Sequence, residues 1–220
     1  AKGISLGKVT EEARARTLNN LTLSTDLKET AHKADLVIEA VPEIMDLKIK
    51  IFKELDEYCP PHTILATNTS TMSITEIGAN TNRSDKAITM HFFNPAHIMK
   101  LVELVRGLDT SAETEQTCFD VAEKMGKEVI RINEFPGFAT SRISCLVGNE
   151  AYYMLLEGVA TPEDIDKAIK LGLNYPMGPL ELTDLVGLDV RLRNLEYLHK
   201  HLGEKFRPCP LLVKYVKAGR

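Results

Sequence analysis

The sequence predicts an α/β fold built on a parallel sheet, followed by a region made only of helices. Three observations carry that prediction. From residue 35 to about residue 133, short β-rich apolar runs alternate with apolar residues at helical spacing, as β–turn–α units do. The run Asp35-Leu36-Val37-Ile38-Glu39-Ala40-Val41 is apolar at consecutive positions, the pattern of a strand covered on both faces. After Asn133-Glu134-Phe135-Pro136-Gly137 no strand pattern returns.

The 220 residues suffice for one large core or two moderate ones. A hydrophobic share of 44% and a charged share of 26% are those of an ordinary water-soluble chain. The net charge of −4 gives no basic footprint for nucleic acid or an anionic membrane, and neither is expected as a partner. No apolar run approaches the roughly 20 residues of a membrane span, and no signal peptide opens the chain. Cys59, Cys118, Cys145 and Cys209 are far apart and form no C-x-x-C pair. They read as reduced thiols of a cytoplasmic protein, with no disulfide frame and no metal site.

Taken in order, Thr10-Glu11-Glu12-Ala13-Arg14 predicts a helix capped by Thr10, with acids in its first turn. Lys2, Lys8, Arg14 and Arg16 form either a solvated face or a contact for a phosphorylated ligand. Leu21-Thr22-Leu23-Ser24-Thr25 alternates and predicts a short strand. Thr25 or Asp26 caps a short helix through Ala31. The strand at Asp35 ends at Pro42-Glu43, and apolar positions 44, 47, 51, 55 and 58 predict a helix. Thr63-Ile64-Leu65-Ala66-Thr67 is the next strand, then a brief helix over 73–78, then a strand from Lys86 to Phe93. Leu101-Val102-Glu103-Leu104-Val105 is a further strand. Thr110-x-x-Glu113 predicts a capping box for a helix that Gly126 stops, and Glu128 to Ile132 is the last strand. In the helical region, 138–156 carries Ile143, Leu146, Val147, Ala151, Met154 and Leu155 on one face, either core or a subunit interface. Thr161-Pro162-Glu163-Asp164 starts a helix to Gly172. The turn Tyr175-Pro176-Met177-Gly178-Pro179 leads to helices over 180–186, 190–202 and 211–218.

The functional signal lies at strand ends. Asn94-Pro95 must stop the strand that carries His91, which places an imidazole where a buried strand gives way to a loop. The two preceding strands end at Glu43 and at Asn68-Thr69-Ser70. Three successive carboxyl ends thus bring polar groups to one edge of the sheet, where ligands bind in open α/β folds. A histidine that only fills a core would not be joined by such neighbours. Glu103 is a carboxylate inside an apolar strand, costly unless paired. Either it pairs with His91 or it points to solvent from an edge strand.

On these residues the chain resembles the 3-hydroxyacyl-CoA dehydrogenase family, in particular its short-chain 3-hydroxybutyryl-CoA branch. The resemblance rests on Asp35 to Glu43, Asn68-Thr69-Ser70, His91 to Pro95 with Met99-Lys100-Leu101-Val102-Glu103, Pro136-Gly137-Phe138, and Gly172 with Tyr175 to Pro179. It implies a partial Rossmann-type NAD-binding domain over 1–133 and an all-helical substrate and dimerisation domain over 134–220. It also implies NAD as cofactor, an acyl-CoA substrate and a homodimer formed through the helical part.

By the same resemblance His91 is the base that takes the proton of the 3-hydroxyl, and Glu103 holds its imidazole. Ser70 binds the oxygen at C3, while Glu43, Lys48, Ser70 and Asn94 lie near the ribose and nicotinamide of the cofactor. Ser141 stands where many relatives carry an Asn that binds the thioester carbonyl, and a hydroxyl is a shorter donor. The G-x-G-x-x-G of the family is absent, since Gly3 and Gly7 have the wrong spacing, and so is its Gly/Lys-rich closing segment. The expectation is a chain cut at both ends that binds NAD poorly and does not turn over by itself. The competing reading is a non-catalytic dimeric acyl-CoA-binding or structural relative, and the intact His91, Glu103 and Ser70 set speaks against it.

Overall fold

The computed structural model describes residues 2–220, apart from the side chain of Lys2, so the suggested ligand contact of Lys2 lies outside the described residues. Helices α1 (Lys2–Ser5) and α2 (Glu11–Asn19) come first. Thr10 caps α2, its hydroxyl accepting from the Ala13 N–H at 3.1 Å. No residue of α2 is buried, and Lys8, Arg14 and Arg16 are exposed. Residues 21–25 do not form a strand. The alternation is present, but no strand lies beside them to take their backbone hydrogen bonds, and Leu21 and Leu23 stay exposed. Asp26, not Thr25, caps α3 (Leu27–Ala31), accepting from the Glu29 N–H at 2.9 Å.

The α/β part runs β1 (Leu36–Glu39), α4 (Met45–Tyr58), β2 (Ile64–Thr67), α5 (Ile74–Gly78), β3 (Ala87–Phe92), β4 (Leu101–Arg106), α6 (Ala112–Lys124) and β5 (Glu128–Asn133). The five strands lie in sequence order, with β1 at one edge and β5 at the other. The sheet is mixed rather than wholly parallel: β1, β2 and β3 run together, β4 runs antiparallel to β3, and β5 is parallel to β4. Residues 93–100 are too few for a crossover, so the chain can only turn back. The sheet's two faces carry separate apolar clusters, one around Phe52, Leu55, Leu65 and Ile77, the other around Ile88, Met90, Val102 and Leu104.

Two local expectations shift by one position. The cap of α6 is Ser111, accepting from the Thr114 N–H at 3.1 Å, and not Thr110. The Thr110 hydroxyl donates to the Ala87 carbonyl at 2.7 Å and accepts from the Gly107 N–H at 2.9 Å, so it ties β3 to the turn after β4. In α4 the buried positions are Lys48, Phe52 and Leu55, while Ile44 is exposed.

The helical part comprises α7 (Thr140–Leu156), α8 (Pro162–Gly172), α9 (Pro179–Val186), α10 (Leu188–Leu202) and α11 (Pro210–Lys217). Gly137 and Phe138 have φ of 76° and 50°, which keeps α7 from starting before this left-handed pair is passed. The inward face of α7 is Cys145, Gly148, Asn149, Ala151 and Tyr152 rather than the stripe through Ile143 and Val147. It packs with Ile165, Leu195, Leu198, Phe206 and Leu212 into one core. Asp166 of α8 caps α9, its carboxylate accepting from the Leu180 and Glu181 N–H groups at 2.8 and 2.9 Å. A Cβ on Gly178 would lie 2.2 Å from that carboxyl carbon, so only glycine fits the Met177-Gly178-Pro179 turn. Among the described residues no helix is long and apolar enough to cross a membrane, and no group of three His, Cys, Asp or Glu side chains is placed to hold a metal.

Candidate active site

The antiparallel pairing of β3 with β4 sets His91 opposite Glu103 in register, with both side chains on the same face of the sheet. Nδ1 of His91 lies 2.7 Å from Oε2 of Glu103. The carboxylate has no accessible surface, and β4 is an interior strand, so the solvent-facing alternative is excluded. Two further donors meet the same carboxylate. The Thr140 N–H donates to Oε1 at 3.0 Å, and the Thr140 hydroxyl donates to Oε2 at 3.1 Å. Burial alone would push the Glu103 carboxyl up. The hydrogen bonds from His91 and from Thr140, with the attraction of the imidazole, outweigh it and hold the carboxyl below its ordinary 4.5. Because an ionised carboxylate only accepts, it selects the tautomer of the neutral ring in which Nδ1 carries the proton and Nε2 the lone pair. The rings of Phe93 and Phe138, at 4.6 and 6.0 Å between centroids, flank the imidazole.

The ends of β1 and β2 are tied to this pair by a second network. The Phe92 N–H donates to Oδ1 of Asn68 at 2.8 Å, joining the loop after β2 to the end of β3. Glu43 grips the same loop, accepting from the Thr69 hydroxyl at 2.8 Å and from the Ser70 N–H at 2.7 Å. Lys48 lies beneath, its ammonium 2.9 and 3.2 Å from the two oxygens of Glu39, 3.2 Å from the Val41 carbonyl and 4.0 Å from Glu43. The Thr67 hydroxyl completes the set by donating to Glu39 at 2.7 Å. Ser70 is half-buried at the rim, Asn94 is exposed just past β3, and Ser141 is half-buried in the first turn of α7.

His91 and Glu103 are therefore in contact, and Glu43, Lys48 and Ser70 form a connected cluster around the neighbouring strand ends. Sequence reasoning missed Glu39 and Thr140. Glu39 carried the same signal as Glu103, a carboxylate inside an apolar strand. Thr140 carried none, because its role depends on where α7 begins. Beside Thr140 the helical part opens into a cavity of about 400 Å³, lined by Thr140, Ile143, Ser144, Val147, Tyr175 and Met177 among others. Its wall includes the apolar stripe of α7 that does not face the core.

The strand-end rim fits the nicotinamide-ribose end of a dinucleotide. Asn94 and Ser70 present uncharged hydrogen-bonding groups at the edge, and the buried charges behind them are already paired.

Residues 1–135 match the profile of the 3-hydroxyacyl-CoA dehydrogenase NAD binding domain, and residues 137–220 match that family's C-terminal domain. A "probable 3-hydroxybutyryl-CoA dehydrogenase" of Bacillus subtilis is 53% identical over the whole of this chain, which covers 76% of the relative. The mitochondrial hydroxyacyl-coenzyme A dehydrogenase of Sus scrofa is 39% identical over 97% of this chain and 68% of its own length. The crystal structure of the (S)-3-hydroxybutyryl-CoA dehydrogenase of Ralstonia eutropha superposes with a TM-score of 0.91 at 43% identity, covering 99% of this chain and 77% of that one. With both halves matched in order and the fold superposed, the chain belongs to the 3-hydroxyacyl-CoA dehydrogenase family.

Proposed function

We propose that this protein oxidises the 3-hydroxyl of a (3S)-3-hydroxyacyl-CoA, with 3-hydroxybutyryl-CoA as substrate, to the 3-oxoacyl-CoA, within fatty-acid or butanoate metabolism. The observation that carries the reading is the 2.7 Å contact between His91 and a buried Glu103 at the end of a strand. NAD, when bound, supplies the hydride acceptor. Nε2 of His91 takes the hydroxyl proton, and Glu103 steadies the imidazolium that forms, as an acid does beside histidine in a hydrolase triad. Ser70 hydrogen-bonds the oxygen at C3 and Ser141 the thioester carbonyl. Glu43, Lys48, Ser70 and Asn94 make up the cofactor side, with Lys48 acting from beneath the rim. The substrates named for the relatives support the acyl chemistry, and an apolar cavity of about 400 Å³ beside Thr140 is large enough for a short acyl chain.

Residues 1–133 and 134–220 act as the cofactor and substrate domains in this reading. The helical one forms a homodimer, for which exposed Leu156, Leu171, Leu173 and Leu185 supply apolar surface. A cytoplasmic location accords with four cysteines that are all unpaired. The 220 residues contain no G-x-G-x-x-G and span about three quarters of the relatives' length, so by themselves they should show no NAD-dependent turnover. Steady oxidation of 3-hydroxybutyryl-CoA by a 220-residue polypeptide would overturn that part.

The central test is His91→Gln in the full-length enzyme. Turnover should fall by about 10²–10⁴-fold, the worth of a positioned base, with the fold intact by circular dichroism. An active His91→Gln enzyme would remove the base assignment.

A further inference from the structure

We propose that Thr140 is a positioning residue for this reaction, fastening Glu103, and through it His91, to the start of α7. The proposal rests on the dehydrogenase reading above and adds to it a residue of the helical half.

Glu103 receives three donors on its two oxygens, and two of them come from Thr140. Oε2 is shared between His91 Nδ1 and the Thr140 hydroxyl, while Oε1 takes the Thr140 N–H. The carboxylate is fully buried, so no solvent can replace a lost partner. Strand register brings His91 and Glu103 side by side, but it leaves the rotation of the carboxylate free. Thr140 fixes that rotation. It is the first residue of the 17-residue α7, so its amide also brings the positive end of that helix to the negative charge. Among the described residues packed on the carboxylate, His91 on β3 is the titratable one; Thr140 on α7 and Ile130, its register partner on β5, are not.

The arrangement makes the aligned pair depend on both halves of the chain at once. Gly137 N–H to the Thr71 carbonyl at 3.2 Å, and Ser73 N–H to the Tyr197 hydroxyl at 3.3 Å, hold the same two halves together nearby. Thr140 also lines the cavity of the helical part, so one side chain touches both the acyl side and the acid behind the base.

The test compares Thr140→Val, which keeps the shape and the backbone bond but removes the hydroxyl, with Thr140→Ser, which restores it. In the full-length enzyme T140V should lower kcat about tenfold, the effect of one hydrogen bond to a charged group, with KM nearly unchanged. The acidic limb of the kcat/KM profile for oxidation should move to higher pH. A carboxylate with one donor fewer is more basic and holds the proton on the imidazole more firmly. T140S should bring both back toward wild type. A residue that only fills space would change KM or the thermal midpoint and leave the limb where it was, and that result overturns the proposal. Should T140V fail to fold, Thr140→Ala removes the same hydroxyl with less bulk, and its limb decides. His91→Gln, run in parallel, separates the two ideas. If it is inactive while T140V keeps both kcat and limb, only the role of Thr140 falls. If it is active, the dehydrogenase reading falls with it.

Discussion

The two halves of the chain bury polar groups for different ends. In the α/β half, Glu39, Lys48, Thr67, Thr69, His91 and Glu103 are buried, and each reaches a side chain or backbone group on another element. Their links converge on the carboxyl ends of β1, β2 and β3. In the helical half the buried polar groups are Asn149, Thr183, Arg191 and Asn194, scattered through an apolar core. Asn149 satisfies the Arg207 carbonyl and the Cys209 N–H at 2.9 and 2.8 Å, and Thr183 donates to the Pro179 carbonyl one turn back. The first pattern concentrates buried, paired charge at one edge of the sheet, the edge proposed above as the reaction site. In the second, Asn149 and Thr183 fill backbone valences, while Arg191 reaches the Ser144 hydroxyl and the Cys145 thiol at 3.0 and 3.4 Å.

Variants can break or sharpen this contrast. The largest effect belongs to Glu103→Gln, which keeps the shape but removes the charge behind the base. Turnover should drop by about 10²–10⁴-fold, read from initial rates of NADH formation. Lys48→Met should cost about 3–5 kcal/mol in urea unfolding, because it strands the Glu39 carboxylate without its partner. A neutral result there would mean that the α/β half is held by packing like its neighbour, and the contrast would be lost. In the helical half, Leu195→Ala should cost about 2–5 kcal/mol by leaving a cavity in the core, with the pH–rate profile unchanged. The smallest effect should come from Arg193→Ala, which breaks an exposed pair with Asp189 and should change unfolding by less than about 1 kcal/mol.

Acid should find the same difference. Glu103 is held below its ordinary 4.5 in the fold, so its contribution is fully present above that value. It is lost as pH falls from there through the folded value. Stability of the wild-type protein should therefore decline more steeply below about pH 4.5 than that of Glu103→Gln, measured by thermal midpoints across an acid series.

Much of the order of elements was legible in the sequence because its signals are local. β-rich runs closed by Pro42-Glu43 and Asn94-Pro95, and the caps at Thr10 and Thr161, act within a few residues, and the elements stand where they indicate. The errors have a common origin. Residues 21–25 had the alternation of a strand but no neighbour to pair with. The helical spacings of α4 and α7 fixed the elements and included buried Leu55 and Ala151, but placed the rest of each buried face a position or more away. Those faces turn toward Lys48, Phe52 and Leu55 in one case and Cys145, Gly148 and Tyr152 in the other. The buried Lys48 explains the first miss, since a hydropathy pattern counts a paired lysine as solvent-facing.

By itself, then, the sequence determined the order of the elements from residue 35 onward, the change of class after residue 133 and the polar groups at the strand ends. Those features follow from propensity, capping and turn chemistry, which act between near neighbours. Only the tertiary structure decided that β4 returns antiparallel to β3, that His91 therefore faces Glu103 across one register step, and that Thr140 completes the carboxylate's shell. Each of these is a contact between residues distant in the chain, set by which surfaces pack together, and no local pattern encodes it.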